Sequence, residues 1–288
     1  MKLIADSGST KTDWCLIDDR GKKQYYSTKG MNPYQQSEEQ LANEVASALV
    51  PQLPSTRIDD VFFYGAGCIY DKIPLMERVL KSKLTITGVC EVNSDMLGVA
   101  RALCSHEPGI ACILGTGSNT CYYDGANITK NVSSLGFILG DEGSGSVLGK
   151  LFIGALYKGL LGEEIKQEFE QTFNLDAGKI IERVYRQPYA NRFLASFAPF
   201  IYEHRYNERI YLQIVANFEA LCTRCLMQYD YQHHPIHFCG SIAWYFREIL
   251  EQVAASHQLT IGTIEKAPLE GLIKYHKKLY GFDEVCRS

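Results

Sequence analysis

The feature that most constrains this chain is a short piece of sequence that occurs twice. Asp6-Ser7-Gly8-Ser9-Thr10-Lys11-Thr12-Asp13 follows the apolar run Leu3-Ile4-Ala5. Leu114-Gly115-Thr116-Gly117-Ser118-Asn119-Thr120 closes a second apolar run that starts at Ile110. At an offset of 108, Thr10 falls on Ser118 and Thr12 on Thr120. A strand, a tight Gly turn and a second strand bring several backbone N–H groups and hydroxyls to one point. Such a nest holds an anion, most simply a phosphate. Two nests predict two similar halves that face one nucleotide.

The order of elements around the two hairpins repeats as well. Strands are predicted over 2–6, 12–18 and 23–28, with Asp18-Asp19-Arg20-Gly21 as the second turn. A helix is predicted from Ser37 to Val50, with Ser37 and Gln40 as its capping pair. Then come a strand over Val61 to Tyr64, a helix over 71–81, a strand over 84–90 and a helix from Asn93 to Leu103. The pattern restarts with strands over 110–114 and 119–124 and another before Gly136. A helix-rich stretch runs from Gly143 to about Tyr229. A strand over 236–239, a helix over 242–254, a strand over 260–264 and a helix over 269–278 complete the chain. This is the pattern of duplicated α/β halves with a cleft between them. The expected domains are 1–106 and 107–288, the second expanded by helices, with the boundary at His106-Glu107-Pro108-Gly109. The last helix, about 268–280, is free to pack back on the first domain.

The 288 residues carry a net charge of −4, which argues against nucleic acid as the main partner. No apolar run reaches the roughly 18 residues that span a bilayer, so no membrane association is expected. Ten cysteines are scattered, several inside apolar runs, which fits a reducing, cytoplasmic setting. Cys222-Thr223-Arg224-Cys225 is a lone pair inside a helical stretch, and His233, His234, His237 and Cys239 lack helically spaced partners. All of these are read as structural.

Several motifs carry chemistry. In the first hairpin, Gly8, Ser9, Thr10, Lys11 and Thr12 are candidate phosphate contacts. A carboxylate beside a phosphate nest calls for a cation. Asp6 is therefore the candidate Mg²⁺ residue, acting mostly through water. Lys11 could neutralise a transferring phosphoryl group. In the second hairpin the candidates are Gly115, Thr116, Gly117 and Ser118. The stretch from Gly143 to Lys150 does not match a Walker loop, since Leu151 stands where Ser or Thr should bind Mg²⁺. Asn93-Ser94-Asp95 reads equally as a helix cap and as a base that takes a proton from a substrate hydroxyl. Gly136, Gly140, Gly143 and Gly145 with Asp141 and Glu142 form a loop dense enough in glycine for close substrate approach. Gly240-Ser241, at a strand end, fits the flat face of a nucleoside or a plain βα turn.

Taken in this order, the motifs resemble the actin/hexokinase/heat-shock-chaperone superfamily. Within it the chain is most similar to the BadF/BadG/BcrA/BcrD ATPase family, N-acetylglucosamine kinase branch, over essentially its whole length. The resemblance implies two ribonuclease H-like (actin-like ATPase) α/β domains with an interdomain cleft. It also implies ATP and Mg²⁺ as cofactors and an amino sugar as substrate. The family's catalytic aspartate falls on Asp95, its two phosphate loops on Gly8 to Thr12 and Gly115 to Asn119, and its adenosine motif on Gly240 and Ser241. Sugar contacts implied by the resemblance are Asn32 in Gly30-Met31-Asn32, Asp95, Thr116, Gly117, Gly136 and Asp141. Ser7 and Ser9 stand where glycines are common, Ser241 replaces a glycine, and Leu135 stands where such kinases often carry a Trp. The implied reaction is ATP-dependent phosphorylation of N-acetylglucosamine at its 6-hydroxyl. N-acetylmuramic acid or another hexosamine is an alternative acceptor, and a homodimer is compatible with the branch. The competing class is an activator-type ATPase that bridges an iron–sulfur cluster with cysteines. A sugar-binding module without catalysis is the third.

Overall fold

The computed structural model describes residues 1–8 and 10–280. The phosphate-contact expectation at Ser9 therefore lies outside the described residues. The chain divides into two compact units. Unit 1 comprises residues 1–107, 125–128 and the C-terminal segment from Ala267, and unit 2 comprises 108–124 and 129–266.

Unit 1 is built on β1 (Lys2–Ser7), β2 (Lys11–Ile17) and β3 (Lys23–Lys29), then β4 (Arg57–Ile58), β5 (Asp60–Gly65), β6 (Thr85–Ile86) and β7 (Cys90–Ser94). The main sheet has the order β3-β2-β1-β5-β7, while β4 and β6 form a small separate pair. β1 and β2 are antiparallel, and β5 and β7 run parallel to β1. Parallel strands with both faces covered need apolar residues on both sides. Accordingly Leu3, Ala5, Trp14, Val61 and Phe63 feed one core, while Ile4, Cys15, Phe62 and Tyr64 feed another. The helix Leu269–Tyr280 packs Leu272 and Ile273 into the second core. It lies tight against the helix Asp95–Cys104, because a Cβ on Gly271 would sit 2.5 Å from the carbonyl of Ala102.

Unit 2 repeats the plan. Its strands are β8 (Gly109–Leu114), β9 (Ser118–Tyr123), β10 (Ile128–Val132), β11 (Ile236–Cys239) and β12 (Ile261–Glu265). Their order is β10-β9-β8-β11-β12, with β8 antiparallel to β9 and β11 parallel to both β8 and β12. The two sheets thus share one topology, and each first hairpin occupies the same place. The helices between β10 and β11 build a core in which Phe152, Phe169, Phe197 and Phe200 interlock and to which Phe218 also belongs.

Local chemistry explains the main boundary shifts. Ser37 and Gln40 form the reciprocal capping box, but the helix Glu38–Glu44 ends in a wider turn over Val45–Leu49. The expected strand over 84–90 is broken because Gly88 donates to the Asp59 carbonyl and Val89 to the Asp60 carboxylate. The expected helix over 242–254 is two helices, Ser241–Tyr245 and Arg247–Ser256, that meet at Phe246.

Candidate active site

In unit 1 the hairpin after β1 closes with the Gly8 N–H donating to the Lys11 carbonyl at 3.0 Å. The Thr10 carbonyl accepts from the Gly30 N–H at 3.0 Å, and the Ser7 hydroxyl accepts from the Met31 N–H at 3.0 Å. These bonds fasten the hairpin to Gly30-Met31-Asn32. Thr12 is buried, donates to the Lys29 carbonyl at 3.1 Å and shares a hydrogen bond with the Ser7 hydroxyl at 2.7 Å. Its side chain is thus committed inside the hairpin, and Ser7, which stands where glycine is common, is the second half of that lock. Asn32 is likewise held, its Oδ1 accepting from the Tyr34 N–H at 2.9 Å and its own N–H donating to Gln36 Oε1 at 2.7 Å.

Three carboxylates share this end of the sheet. Asp6 stands opposite Asp13 in the β1–β2 ladder, and Asp95 begins the helix that follows β7. Ser94 is the cap: its hydroxyl accepts from the Leu97 N–H at 3.2 Å. Asp95 is therefore the first helical residue, and the Met96 N–H donates to its Oδ1 at 2.8 Å. Burial raises the proton affinity of Asp95 against that hydrogen bond. Asp6 is pushed up to about 7, first by burial and then by the charges of Asp95 and Asp13, with Lys11 opposing. Lys11 is itself paired with Asp13 at 2.6 Å. Carboxylate repulsion this poorly relieved is a fit for a hard divalent cation with oxygen ligands, supplemented by water and phosphate. Among the described residues no group of three or more His, Cys, Asp or Glu is placed to hold a metal by itself.

In unit 2 the second hairpin closes with the Gly115 N–H donating to the Gly117 carbonyl at 3.0 Å. It is fastened to the glycine-rich loop by two more bonds: Gly145 N–H to the Gly115 carbonyl at 2.8 Å and Ser146 N–H to the Thr116 carbonyl at 3.1 Å. Asp141 lies in that loop with φ +56°. Its carboxylate accepts from the Ser118 N–H, yet burial still pushes it up to about 6. A Cβ on Gly117 would stand 3.0 Å from Asp141 Oδ2, so hairpin and loop approach closely at this point. Gly136, with φ +72°, opens the short helix Gly136–Leu139 at the other end of the loop, beside an exposed Leu135.

The loop has a support that the sequence reading did not pick out. Asn217, buried on the helix Glu208–Arg224, accepts from the Gly143 N–H at 2.9 Å and donates to the Ser144 carbonyl at 3.1 Å. A signal was there, since Asn217 interrupts the apolar stripe Ile210, Ile214, Phe218, Leu221.

Gly240 sits between β11 and the helix Ser241–Tyr245 with φ +121°. A Cβ there would lie 2.3 Å from the Leu114 carbonyl, so only glycine lets this turn close on β8. Next to it is a cavity of about 380 Å³ lined by Gly115, Thr116 and Ser241 together with Tyr202, Tyr245 and Phe246. The cavity joins hairpin residues and the Gly240-Ser241 turn to aromatic walls. Half of its lining comes from residues 195–203, which carry no motif, and Tyr202 is the aromatic among them. Gly117, Ser118 and Asp141 lie beside the cavity-lining part of the hairpin rather than among its lining residues.

Cys222, Cys225 and His237 are tied into the fold. Cys222 belongs to the hydrophobic core, and burial pushes its thiol up to about 12. Cys225 is pushed up to about 11 and points its thiol at Glu142. His237 Nδ1 accepts from the Thr263 N–H at 3.0 Å.

Comparison with known proteins accords with this geometry. Residues 5–232 match the model of the BadF/BadG/BcrA/BcrD ATPase family. A solved candidate N-acetylglucosamine kinase from Porphyromonas gingivalis is 46% identical, covers 96% of this chain and 99% of its own, and superposes with a TM-score of 0.93. A second candidate N-acetylglucosamine kinase, from Chromobacterium violaceum, is 16% identical over 95% of this chain and 98% of its own, with a TM-score of 0.75. A ROK family glucokinase from Streptomyces griseus, solved with glucose and AMPPNP, is 13% identical over 95% and 97%, with a TM-score of 0.60. These two lower-identity structures bear on the fold alone. No curated protein sequence matches the chain. The family match spans more than three quarters of the sequence: the chain belongs to the BadF/BadG/BcrA/BcrD ATPase family.

Proposed function

We propose that this protein is a sugar kinase that transfers the γ-phosphoryl group of ATP to the 6-hydroxyl of N-acetylglucosamine or a close hexosamine. The observation that carries this reading is Asp95. It is a carboxyl of raised proton affinity at a helix start whose capping is done by Ser94, which leaves Asp95 free of that task. The 46% identity to the Porphyromonas gingivalis protein supports the choice of sugar. In this reading Asp95 orients the acceptor hydroxyl and takes its proton. Gly8, Thr10 and Lys11 in unit 1 and Gly115 to Ser118 in unit 2 grip phosphates. Thr12 acts through the hairpin it locks. Asn32, Gly136 and Asp141 meet sugar hydroxyls, and the cavity beside Ser241 seats the nucleoside. Asp6 would hold Mg²⁺, largely through water; the ion's contribution is to neutralise charge on the phosphates. The cytoplasm is the proposed setting.

The buried thiols of Cys222 and Cys225 tell against the activator-type alternative, which needs cysteines that reach a cluster. ADP release with N-acetylglucosamine, glucosamine, N-acetylmuramic acid and glucose tests the reading. Strong N-acetylglucosamine-dependent release is expected, and no release with any hexosamine would refute it. Asp95→Asn should cut kcat by about 10²- to 10⁴-fold while sugar affinity stays within a few-fold. Near-normal kcat would overturn the role of Asp95.

A further inference from the structure

The cavity of unit 2 has one carboxylate among its described lining residues, Glu203 at the end of the helix Ala198–Glu203. Its surroundings are otherwise built for a flat, uncharged ring. Tyr202 sits edge-on to Phe246, with ring centroids 5.4 Å apart and planes at 87°. Tyr202 and Tyr245 are 5.8 Å apart. Both tyrosines are fixed from outside the cavity. The Arg205 guanidinium lies over Tyr202 at 4.0 Å and donates to the Tyr202 carbonyl, and the Lys266 ammonium donates to the Tyr245 hydroxyl at 2.8 Å. The nearby basic side chains are thus occupied by the aromatic frame. Among the described residues none makes a hydrogen bond or ion pair to the Glu203 carboxylate, although Arg205 is two positions away. An acceptor beside an aromatic surface is what a ring with an exocyclic amine needs. An ionised carboxylate can only accept.

We infer that Glu203 reads the base of the nucleotide, accepting a hydrogen bond from the 6-amino group of a purine and so selecting adenosine nucleotides. This rests on the reading of the cavity as the nucleoside seat, and it adds the group that makes the seat selective. A base with no amine at that position leaves the carboxylate without its donor. A base with a carbonyl oxygen there sets two acceptors against each other. The aromatic walls hold any of these bases; Glu203 separates them.

The probe is ADP against purine riboside 5′-diphosphate, which differs only by loss of the 6-amino group. Affinities are measured by titration calorimetry on the whole protein without sugar. Wild type should prefer ADP by about tenfold, as expected for a hydrogen bond to a charged group near the surface. Glu203→Ala should lose the preference by weakening ADP alone. Glu203→Gln, which keeps a neutral acceptor, should retain part of it. A preference unchanged in Glu203→Ala, or absent in wild type, overturns the assignment. Glu203 is exposed and outside the core, and unchanged thermal unfolding would show that both variants fold. Failure to bind ADP at all would refute the nucleoside seat and this inference with it. ADP selectivity without sugar-dependent ADP release would instead overturn the sugar kinase reading and leave the role of Glu203 standing.

Discussion

Replacing Asp6 by Asn should make unit 1 more stable and the protein inactive, and the gain should depend on pH. The folded protein holds the Asp6 proton up to about pH 7, whereas an ordinary Asp in the unfolded chain loses it near 3.8. Folding therefore favours the protonated form. Stability from this group is complete below pH 4 and drains away as pH climbs towards 7. Each pH unit in that window costs about 1.4 kcal/mol, so moving from pH 5 to pH 8 costs wild type about 3 kcal/mol through Asp6. An Asn side chain has the shape of the protonated acid and pays nothing. The stability difference between Asp6→Asn and wild type should thus widen by about 2–3 kcal/mol from pH 5 to pH 8, the lower figure allowing for water reaching the site. The assay is urea unfolding in chelator and without nucleotide. The chain has two tryptophans, Trp14 and Trp244, and Trp14 is fully buried in unit 1. A Trp244→Phe background lets Trp14 fluorescence report that unit alone. An equal difference at both pH values would refute the reasoning, because it would mean that Asp6 is not titrating under strain. A loss of stability at pH 8 would refute it more directly.

Two further substitutions test unit 2. Asn217→Ala should cost about 3 kcal/mol, since it strips partners from the buried Gly143 N–H and Ser144 carbonyl, and it should weaken sugar binding through the loop that carries Asp141. Unfolding curves and sugar titration check both parts, and intact sugar affinity would release the loop from this support. Gly240→Ala forces a Cβ to within 2.3 Å of the Leu114 carbonyl at a φ of +121°, so ADP affinity should fall at least tenfold and unit 2 should lose about 2–3 kcal/mol. Unchanged ADP titration would show that this turn does not shape the nucleoside cavity.

What could be read from the sequence was whatever is set by local chemistry. The two hairpins announce themselves because glycine, hydroxyl and strand residues fall at fixed spacings, and they occupy matching places in two sheets of one topology. The capping pair Ser37 and Gln40 follows from spacing alone. The cap question at Asn93-Ser94-Asp95 did not, because three good capping residues in a row leave the choice to the backbone. The break at Phe246 was hidden for a related reason: its neighbours Ile242, Ile249 and Leu250 keep helical spacing on both sides. Thr12 is a candidate phosphate contact by its place in the hairpin. The register of β2 against β1 and β3 sets its hydroxyl against Ser7 and the Lys29 carbonyl. The aromatic slot of Tyr202 and Tyr245 was out of reach, since its walls are more than 40 residues apart and carry no motif.

The carboxylates make a stronger case together than singly. Glu38, Asp59 and Glu270 all have their proton affinity pulled down, each by a hydrogen-bonding partner such as Arg78, the N-terminal ammonium or Tyr25. Those are acids satisfied by the fold. Asp6, Asp95 and Asp141 are pushed up, each first by burial, and among the described residues none of them has an ion-pair partner. A fold gains nothing by burying an acid it does not neutralise, so such groups mark places where a ligand is to supply the missing charge or donor. Sequence position and resemblance point to the same three residues. Their common displacement is a further reason to place the chemistry at the end of β1, the start of the Asp95 helix and the glycine-rich loop. It also explains why Asp6→Asn should gain stability as it loses function, because the strain it relieves is the strain that a bound cation would otherwise relieve.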